Sequence, residues 1–391
     1  MTQSVSRSVA VVGSGHCSPL GPNLAVAGRL LGTASALQPI RWNPHIVHRD
    51  WNVGEIDPNF GDHSRAIHER MIVTPLAEAL SQASLTAAEL AAAGLFVGSN
   101  SGFAILEEQR IVSSKVNRNE ALASWEQVGP NAVTEFVADH LDLGGPMITY
   151  SIACTSSAVA LLQAFHAIAA GLIETAIVLG FDTLLNSTLV GFKSLLLHEF
   201  DTVRPFDRRR RGLRLSEGCG VLVLKAVADS HRHGVVRFLG GAQTTAPGGW
   251  TGSESDGSDV ARTIFQALSQ TGLSPKDIVA IKAHGTGTFD NDLSEGRGIF
   301  QVFGAEAPPI ASLKGGIGHS LAASAVLEAA LWLPCAVAGI VPKTVGFEEP
   351  DLELGIVPTR SAVDVPPGCH LLNSFGFGGS GVALIFEVTR Q

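Results

Sequence analysis

Two stretches of the chain follow one pattern. Ser157-Ala158-Val159 opens an alanine-rich segment of helical periodicity, and Ser324-Ala325-Val326 opens a second. Each follows a short apolar run and a turn carrying reactive residue types, and each closes near an Ala-Gly pair, Ala170-Gly171 and Ala338-Gly339. Gly218-Cys219-Gly220-Val221 leads into one apolar run, and Gly379-Ser380-Gly381-Val382 leads into the last. Short apolar runs alternating with helical patterns read as βαβ units. A chain that does this twice is expected to be an α/β protein of two related halves, residues 1–228 and 229–391, with a site where they meet.

The composition fits a large buried core. Of 391 residues, 45% are hydrophobic and only 16% charged, a balance that argues against disorder. A net charge of −9 excludes the basic footprint of a nucleic-acid binder. The cysteines, at 17, 154, 219, 335 and 369, are odd in number and have no C-x-x-C spacing, so neither a disulfide framework nor structural zinc is expected, and no metal site. Val9-Ala10-Val11-Val12 is too short for a signal-peptide core. The most apolar region, 158–181, is broken by Gln163, His166, Gly171 and Glu174, and reads as a core helix and a core strand instead of a membrane span. No membrane association is expected, and the cytoplasm is the expected compartment.

Along the chain, strands are expected near 8–13, 95–98, 147–153, 175–180 and 220–227, then 235–242, 278–283, 310–312, 370–373 and 381–388. Helices are expected near 24–31, 65–84, 86–93, 155–170, 259–271, 291–303 and 321–333, with 103–143 mostly helical. Residues 33–66 show no period, and an irregular surface segment is expected for the stretch ahead of the helix from 65.

Reactive residues sit where these strands end. The run 146–153 stops at Cys154, and helical periodicity follows at once, which puts the sulfur near a helix N-terminus whose free N–H groups favour a thiolate. Ala283-His284-Gly285-Thr286-Gly287-Thr288 follows a strand, its small neighbours leaving the imidazole accessible and its hydroxyls free to bind a ligand's amides. Lys314-Gly315-Gly316-Ile317-Gly318-His319 joins a strand to a helix and suits an anion. In Asn373-Ser374-Phe375-Gly376-Phe377-Gly378-Gly379 the glycines give backbone N–H groups close approach to a ligand. Taken singly, each has a plainer reading as a buried thiol, a polar turn or core phenylalanines. Their joint placement at strand ends of a duplicated frame is what points to a site.

In this order the motifs closely resemble the elongating β-ketoacyl synthases of the thiolase-like superfamily. The resemblance runs from Val9 to the closing Asn-Ser-Phe-Gly-Phe-Gly-Gly, through the Cys154 elbow, Arg204-Pro205-Phe206-Asp207, the His284 loop with Asn291, Asp292 and Glu295, and the Lys314–His319 turn. It implies a thiolase-like fold, two α/β halves stacked as five layers, α-β-α-β-α. It implies that Cys154 takes up an acyl chain from a thioester, and that His284 and His319 stabilise the enolate left when a malonyl thioester loses CO2. Lys314 would act through His319 and neighbouring backbone. The N–H groups of Cys154 and Phe377 would form an oxyanion hole, with Phe377 also a gate. Thr286 and Thr288 would touch the phosphopantetheine arm, and Phe375, Gly376 and Gly378 would bind substrate beside them. Asn291, Asp292 and Glu295 would support the His284 loop, with Glu295 also open to ordering a water or a cation. No resident cofactor is implied, because phosphopantetheine arrives on an acyl carrier protein. The partners implied are that carrier and an identical or related subunit in a homodimer or heterodimer.

Departures from the family pattern are few. Ser216 stands first in what is usually Gly-Glu-Gly, and the loops 197–203 and 242–258 are short. The run Arg208–Arg211 reads either as a solvated loop or as a dock for an acidic carrier protein. Two further readings stay open: a chain-length-factor-like partner subunit, and an acyltransferase or thioester hydrolase that never decarboxylates.

Overall fold

A computed structural model of the chain describes residues 7–22, 35–39, 51–56, 65–113, 127–199, 201–228, 236–246 and 254–389. Ten strands carry the architecture: β1 (Ser8–Ser18), β2 (Gly94–Gly98), β3 (Met147–Tyr150), β4 (Thr175–Asp182), β5 (Gly218–Val227), β6 (Val236–Thr245), β7 (Ile278–Lys282), β8 (Ile310–Ala311), β9 (Gly368–Gly376) and β10 (Ser380–Val388). Their spatial order is β8-β7-β9-β10-β6-β1-β5-β4-β2-β3. Counted outward from the centre, each half therefore runs first, fifth, fourth, second, third. The pairing directions repeat as well. In each half the outer three strands are parallel and the inner pairings antiparallel. Strands β1 and β6 join the halves, antiparallel, through Val9 opposite Phe238.

The helices are α1 (Arg65–Ala83), α2 (Ala87–Ala91), α3 (Ala104–Ser113), α4 (Pro130–Leu141), α5 (Ser156–Ala169), α6 (Asn186–Ser194), α7 (Ser258–Thr271), α8 (Phe289–Phe303), α9 (Lys314–Ile317) and α10 (Ser324–Val337). Side chains alternate across a strand, so each half-sheet has two apolar faces to cover. Ala176 and Val178 of β4 join Leu384 and Phe386 of β10 around the alanine-rich α5 and α10. Ile177, Leu179 and Phe181 face the other way, onto Met71 and Leu76 of α1 and Val133 and Val137 of α4. Ile281 and Ile385 meet α7 and α8 in the same manner. The layers are thus α1/α4, half-sheet, α5/α10, half-sheet, α7/α8. This is the five-layered α-β-α-β-α fold expected from the sequence. The central helices sit so close that a Cβ on Gly98 would lie 2.3 Å from Ser157 N, and one on Gly220 2.3 Å from Leu327 N.

Some elements differ from the sequence reading. Helix α6 has no counterpart in the expected set. Its run Asn-Ser-Thr-Leu-Val-Gly-Phe-Lys-Ser is poor in helix formers and buries only Leu189, so no apolar stripe marks it. Strand β3 stops at Tyr150, three residues short, because the chain turns at Ala153, where φ is +45°. Two two-residue ladder strands, Gln38–Pro39 and Asn52–Val53, pair within the segment expected to be irregular. The helix expected at 24–31 lies outside the described residues, as do 114–126 and much of the 242–258 loop. The five cysteines are free and buried. Among the described residues no helix is long and apolar enough to cross a membrane.

Candidate active site

Cys154 sits two residues before the first turn of α5, on a strained elbow. Ala153 takes a left-handed conformation that costs an L-residue about 1–2 kcal/mol. Several hydrogen bonds hold it there. Asn100 Nδ2 and Ser156 Oγ donate to the Ala153 carbonyl at 3.2 and 2.6 Å, and Thr155 Oγ1 donates to Ile152 O at 2.8 Å. Ser374 Oγ, from β9, donates to Cys154 O at 3.3 Å. A Cβ on Gly376 would come within 3.2 Å of Cys154 N, a tight contact that brings the closing loop against the elbow. The backbone N–H groups of Cys154 itself and of Phe377 lie near enough to the sulfur to favour its thiolate.

Burial pushes the Cys154 thiol up to about 11, with the Asp182 charge adding to it, while Lys314 and the two N–H groups pull it down. The expectation of a depressed thiol is therefore corrected. The helix terminus is present, but desolvation of a residue 6% exposed outweighs it.

His284 follows β7 and is fixed from behind. Glu295 of α8 accepts the N–H of His284 and of Gly285, both at 2.7 Å, and Asn373 Nδ2 donates to the same carboxylate at 3.3 Å. Asp292 accepts from Thr286 N at 2.9 Å, from Gly287 N and from Phe206 N, and Asn291 Nδ2 donates to it at 3.0 Å. Glu295 and Asp292 thus hold backbone N–H groups of the His284 loop, and Asn291 bonds Asp292. Thr286 and Thr288 hydroxyls bond each other at 2.8 Å on the pocket wall.

The donors fix the proton on each imidazole. Leu321 N–H donates to His319 Nδ1 at 3.0 Å, so that nitrogen is an acceptor and Nε2 carries the hydrogen. Lys314 Nζ lies 3.2 Å from His284 Nδ1, donates to His284 O at 2.8 Å, and lies 2.6 Å from Glu328 Oε1. An ammonium has only donors, so His284 also carries its hydrogen on Nε2. Lys314 thus makes its direct contacts with His284, where the sequence reading placed them through His319 and neighbouring backbone. Burial, followed by the Lys314 charge, holds both imidazoles well below the usual histidine range, so both are neutral near pH 7. Neutral rings cannot lower the thiol as cations would, a second reason for its high value. The rings meet edge to face at 5.3 Å.

Cys154, His284, His319, Phe375, Gly376, Phe377 and Asn291 line one pocket of about 770 Å³ measured to its open mouth. Gly378 does not line it. That residue is exposed, and its φ of +80° serves the turn. Sequence reasoning missed Phe192, which stacks on Phe377, and Glu328, which pairs Lys314. Glu328 did leave a signal, a lone charge within Val326-Leu327-Glu328-Ala329-Ala330 of an apolar helix. It also missed Asp182, which accepts the N–H of Ser101 and Ala322 at 2.8 and 2.9 Å and is pushed up to about 6 by burial.

Comparison with known proteins agrees with this geometry. The family model "Beta-ketoacyl synthase, N-terminal domain" matches residues 6–230, and "Beta-ketoacyl synthase, C-terminal domain" matches 237–348. The chain belongs to the β-ketoacyl synthase family. Among curated relatives, 3-oxoacyl-[acyl-carrier-protein] synthase 2 of Synechocystis sp. is 32% identical over 331 residues, 79% of each chain. The crystal structure of a β-ketoacyl synthase from Burkholderia phymatum superposes with a TM-score of 0.84 at 25% identity, covering 98% of this chain and 100% of that one. The ishigamide ketosynthase/chain length factor gives 0.83 at 25% identity, over 98% and 99%. In this β-ketoacyl synthase the basic run is tied down internally. Arg208 pairs with Glu349 at 2.7 Å, Arg209 with Asp207 and Glu348, and the buried Arg210 with Asp351 at 2.6 Å. Those ion pairs tie 208–210 to the segment 348–351, with Arg208 and Arg209 still exposed.

Proposed function

We propose that the chain is a β-ketoacyl-[acyl carrier protein] synthase that condenses a Cys154-bound acyl chain with a malonyl thioester and releases CO2. The observation that carries this reading is the gathering of two donor sets in one pocket. Cys154 and Phe377, whose N–H groups favour the thiolate, and His284 and His319, which carry their hydrogens on Nε2, all line it.

In the first step Cys154 attacks the acyl thioester. The two backbone N–H groups hold the oxyanion, the thiol proton leaves with the phosphopantetheine thiol, and the acyl group stays on Sγ. In the second step a malonyl thioester, its arm along Thr286 and Thr288, loses CO2. The electron pair of the broken C–C bond moves onto the thioester oxygen, where the two neutral imidazoles donate. Neutral donors suit this better than a carboxylate would. The enolate carbon then attacks the acyl carbon, and the sulfur of Cys154 departs. The chemistry asks for no resident cofactor; phosphopantetheine comes on the carrier protein. We divide the chain at 228/229 into the half bearing Cys154 and the half bearing His284, Lys314 and His319. We place it in the cytoplasm as a dimer, with an identical or related subunit, working in fatty-acid or polyketide synthesis.

A chain-length-factor-like role is the second reading, favoured by the likeness to the ishigamide ketosynthase/chain length factor. Intact mass after incubation with an acyl-carrier thioester separates the readings, followed by malonyl-carrier and CO2 detection. An adduct on Cys154 with CO2 and a β-ketoacyl product is expected, and Cys154→Ala should remove all three. No adduct would favour the partner-subunit reading. An adduct that turns over without CO2 would mean a plain acyltransferase or hydrolase.

A further inference from the structure

Beneath His284 lies a cation that the roles above leave unused. Lys282 ends β7 and is 2% exposed, in a strand whose other residues, Ile-Val-Ala-Ile, are all apolar. Its Nζ donates to Glu328 Oε2 and, at 2.9 Å, to the Asn373 carbonyl. The other oxygen of Glu328 belongs to Lys314 at 2.6 Å. Two lysines therefore share one buried carboxylate, and burial pulls Lys282 below the usual lysine range while Glu328 holds it up. Glu295, the other carboxyl of this cluster, turns its oxygens to the N–H groups of His284 and Gly285, and burial pushes it up to about 7. Two lysine side chains thus converge on one buried carboxylate, an arrangement that desolvation makes expensive to keep.

We infer that Lys282 is a positioning residue for the decarboxylation step. Its ammonium fixes the Glu328–Lys314 pair behind His284 and supplies the positive charge toward which the enolate oxygen develops. This rests on the function proposed above. Two observations join the geometry. The Lys282 charge is among the influences that hold both His284 and His319 low, so its field reaches both donors. Asn373, whose carbonyl it takes, also donates through its side chain to Glu295, the carboxyl that accepts the N–H groups of His284 and Gly285, so Lys282 is linked to the imidazole loop. A preorganised charge in a low-dielectric site acts where charge appears in the transition state.

The test is Lys282→Met and Lys282→Gln in the full chain. Both leave Lys314 and Glu328 as a balanced pair, and glutamine keeps an amide donor for the Asn373 carbonyl, so melting temperatures are read beside the rates. Acylation of Cys154 should stay within about twofold, while CO2 release from malonyl-carrier falls by at least about tenfold in kcat with KM little changed. Unchanged CO2 release would overturn the inference. So would equal losses in both half-reactions with a lowered melting temperature, because Lys282 would then be structural only. Wild type is run alongside. If it forms no adduct or releases no CO2, the functional reading fails and takes this inference with it; if it does both and the variants match it, only the role of Lys282 fails.

Discussion

Phe192 and Phe377 stack with ring centroids 5.5 Å apart and planes 14° from parallel. The pair joins α6 to the Phe377 loop, so the ring contact steadies the N–H proposed above as an oxyanion donor. An aromatic pair is worth about 0.5–1.5 kcal/mol beyond its buried area. Phe192→Ala should therefore slow Cys154 acylation up to about tenfold, read by intact mass over time. A rate within twofold of wild type would show that the Phe377 loop holds its place alone.

The buried thiol sets a second expectation. With Cys154 pushed up to about 11, the thiolate is scarce at neutral pH. The rate of iodoacetamide alkylation at Cys154 should rise about tenfold per pH unit from 7 to 9 without a plateau. A plateau near pH 7 would restore the depressed thiol that the helix terminus alone suggests.

Strand ends, glycine turns and alanine-rich helices were readable in the sequence because each rests on local chemistry. Gly171 after α5 and Thr86 before α2 are such cases, the one at a φ of +73° and the other accepting Glu89 N. The duplicated strand order was readable only as an echo, since pairing is set by contacts between residues far apart in the chain. What escaped was long-range. Nothing near Lys314 says that its partners are His284 and Glu328, and the weak pattern of α6 hid Phe192. The burial that raises the Cys154 thiol is likewise a product of packing, invisible beside the helix-terminus signal.

The elbow at Ala153 gives a paired prediction. A β-branched residue at φ +45° is a conformational outlier, so Ala153→Val should cost about 1–3 kcal/mol and abolish acylation. Glycine fits that backbone but adds unfolded-state entropy, so Ala153→Gly should leave stability nearly unchanged and slow acylation only mildly. Denaturant midpoints and adduct rates report both. Equal behaviour of the two variants would mean that the elbow is not strained.

Glu217 offers a pH test whose sign is fixed. Burial pushes its carboxyl up to about 7 from an ordinary value of 4.5, although Ile56 N–H donates to it at 3.0 Å. The folded state thus binds a proton that the unfolded state has released between those values. The associated stability is complete below pH 4.5 and is lost as pH rises through 7. Its size is at most of order 3 kcal/mol. Glu217→Gln cannot ionise and keeps an oxygen for Ile56, so variant minus wild type should become more favourable from pH 5 to 8. His198 and His370, both held down to about 4 by burial, carry the opposite pH dependence, but they are common to the two proteins and cancel in the difference. Urea midpoints at four pH values check this, and parallel curves would mean that Glu217 is ionised throughout.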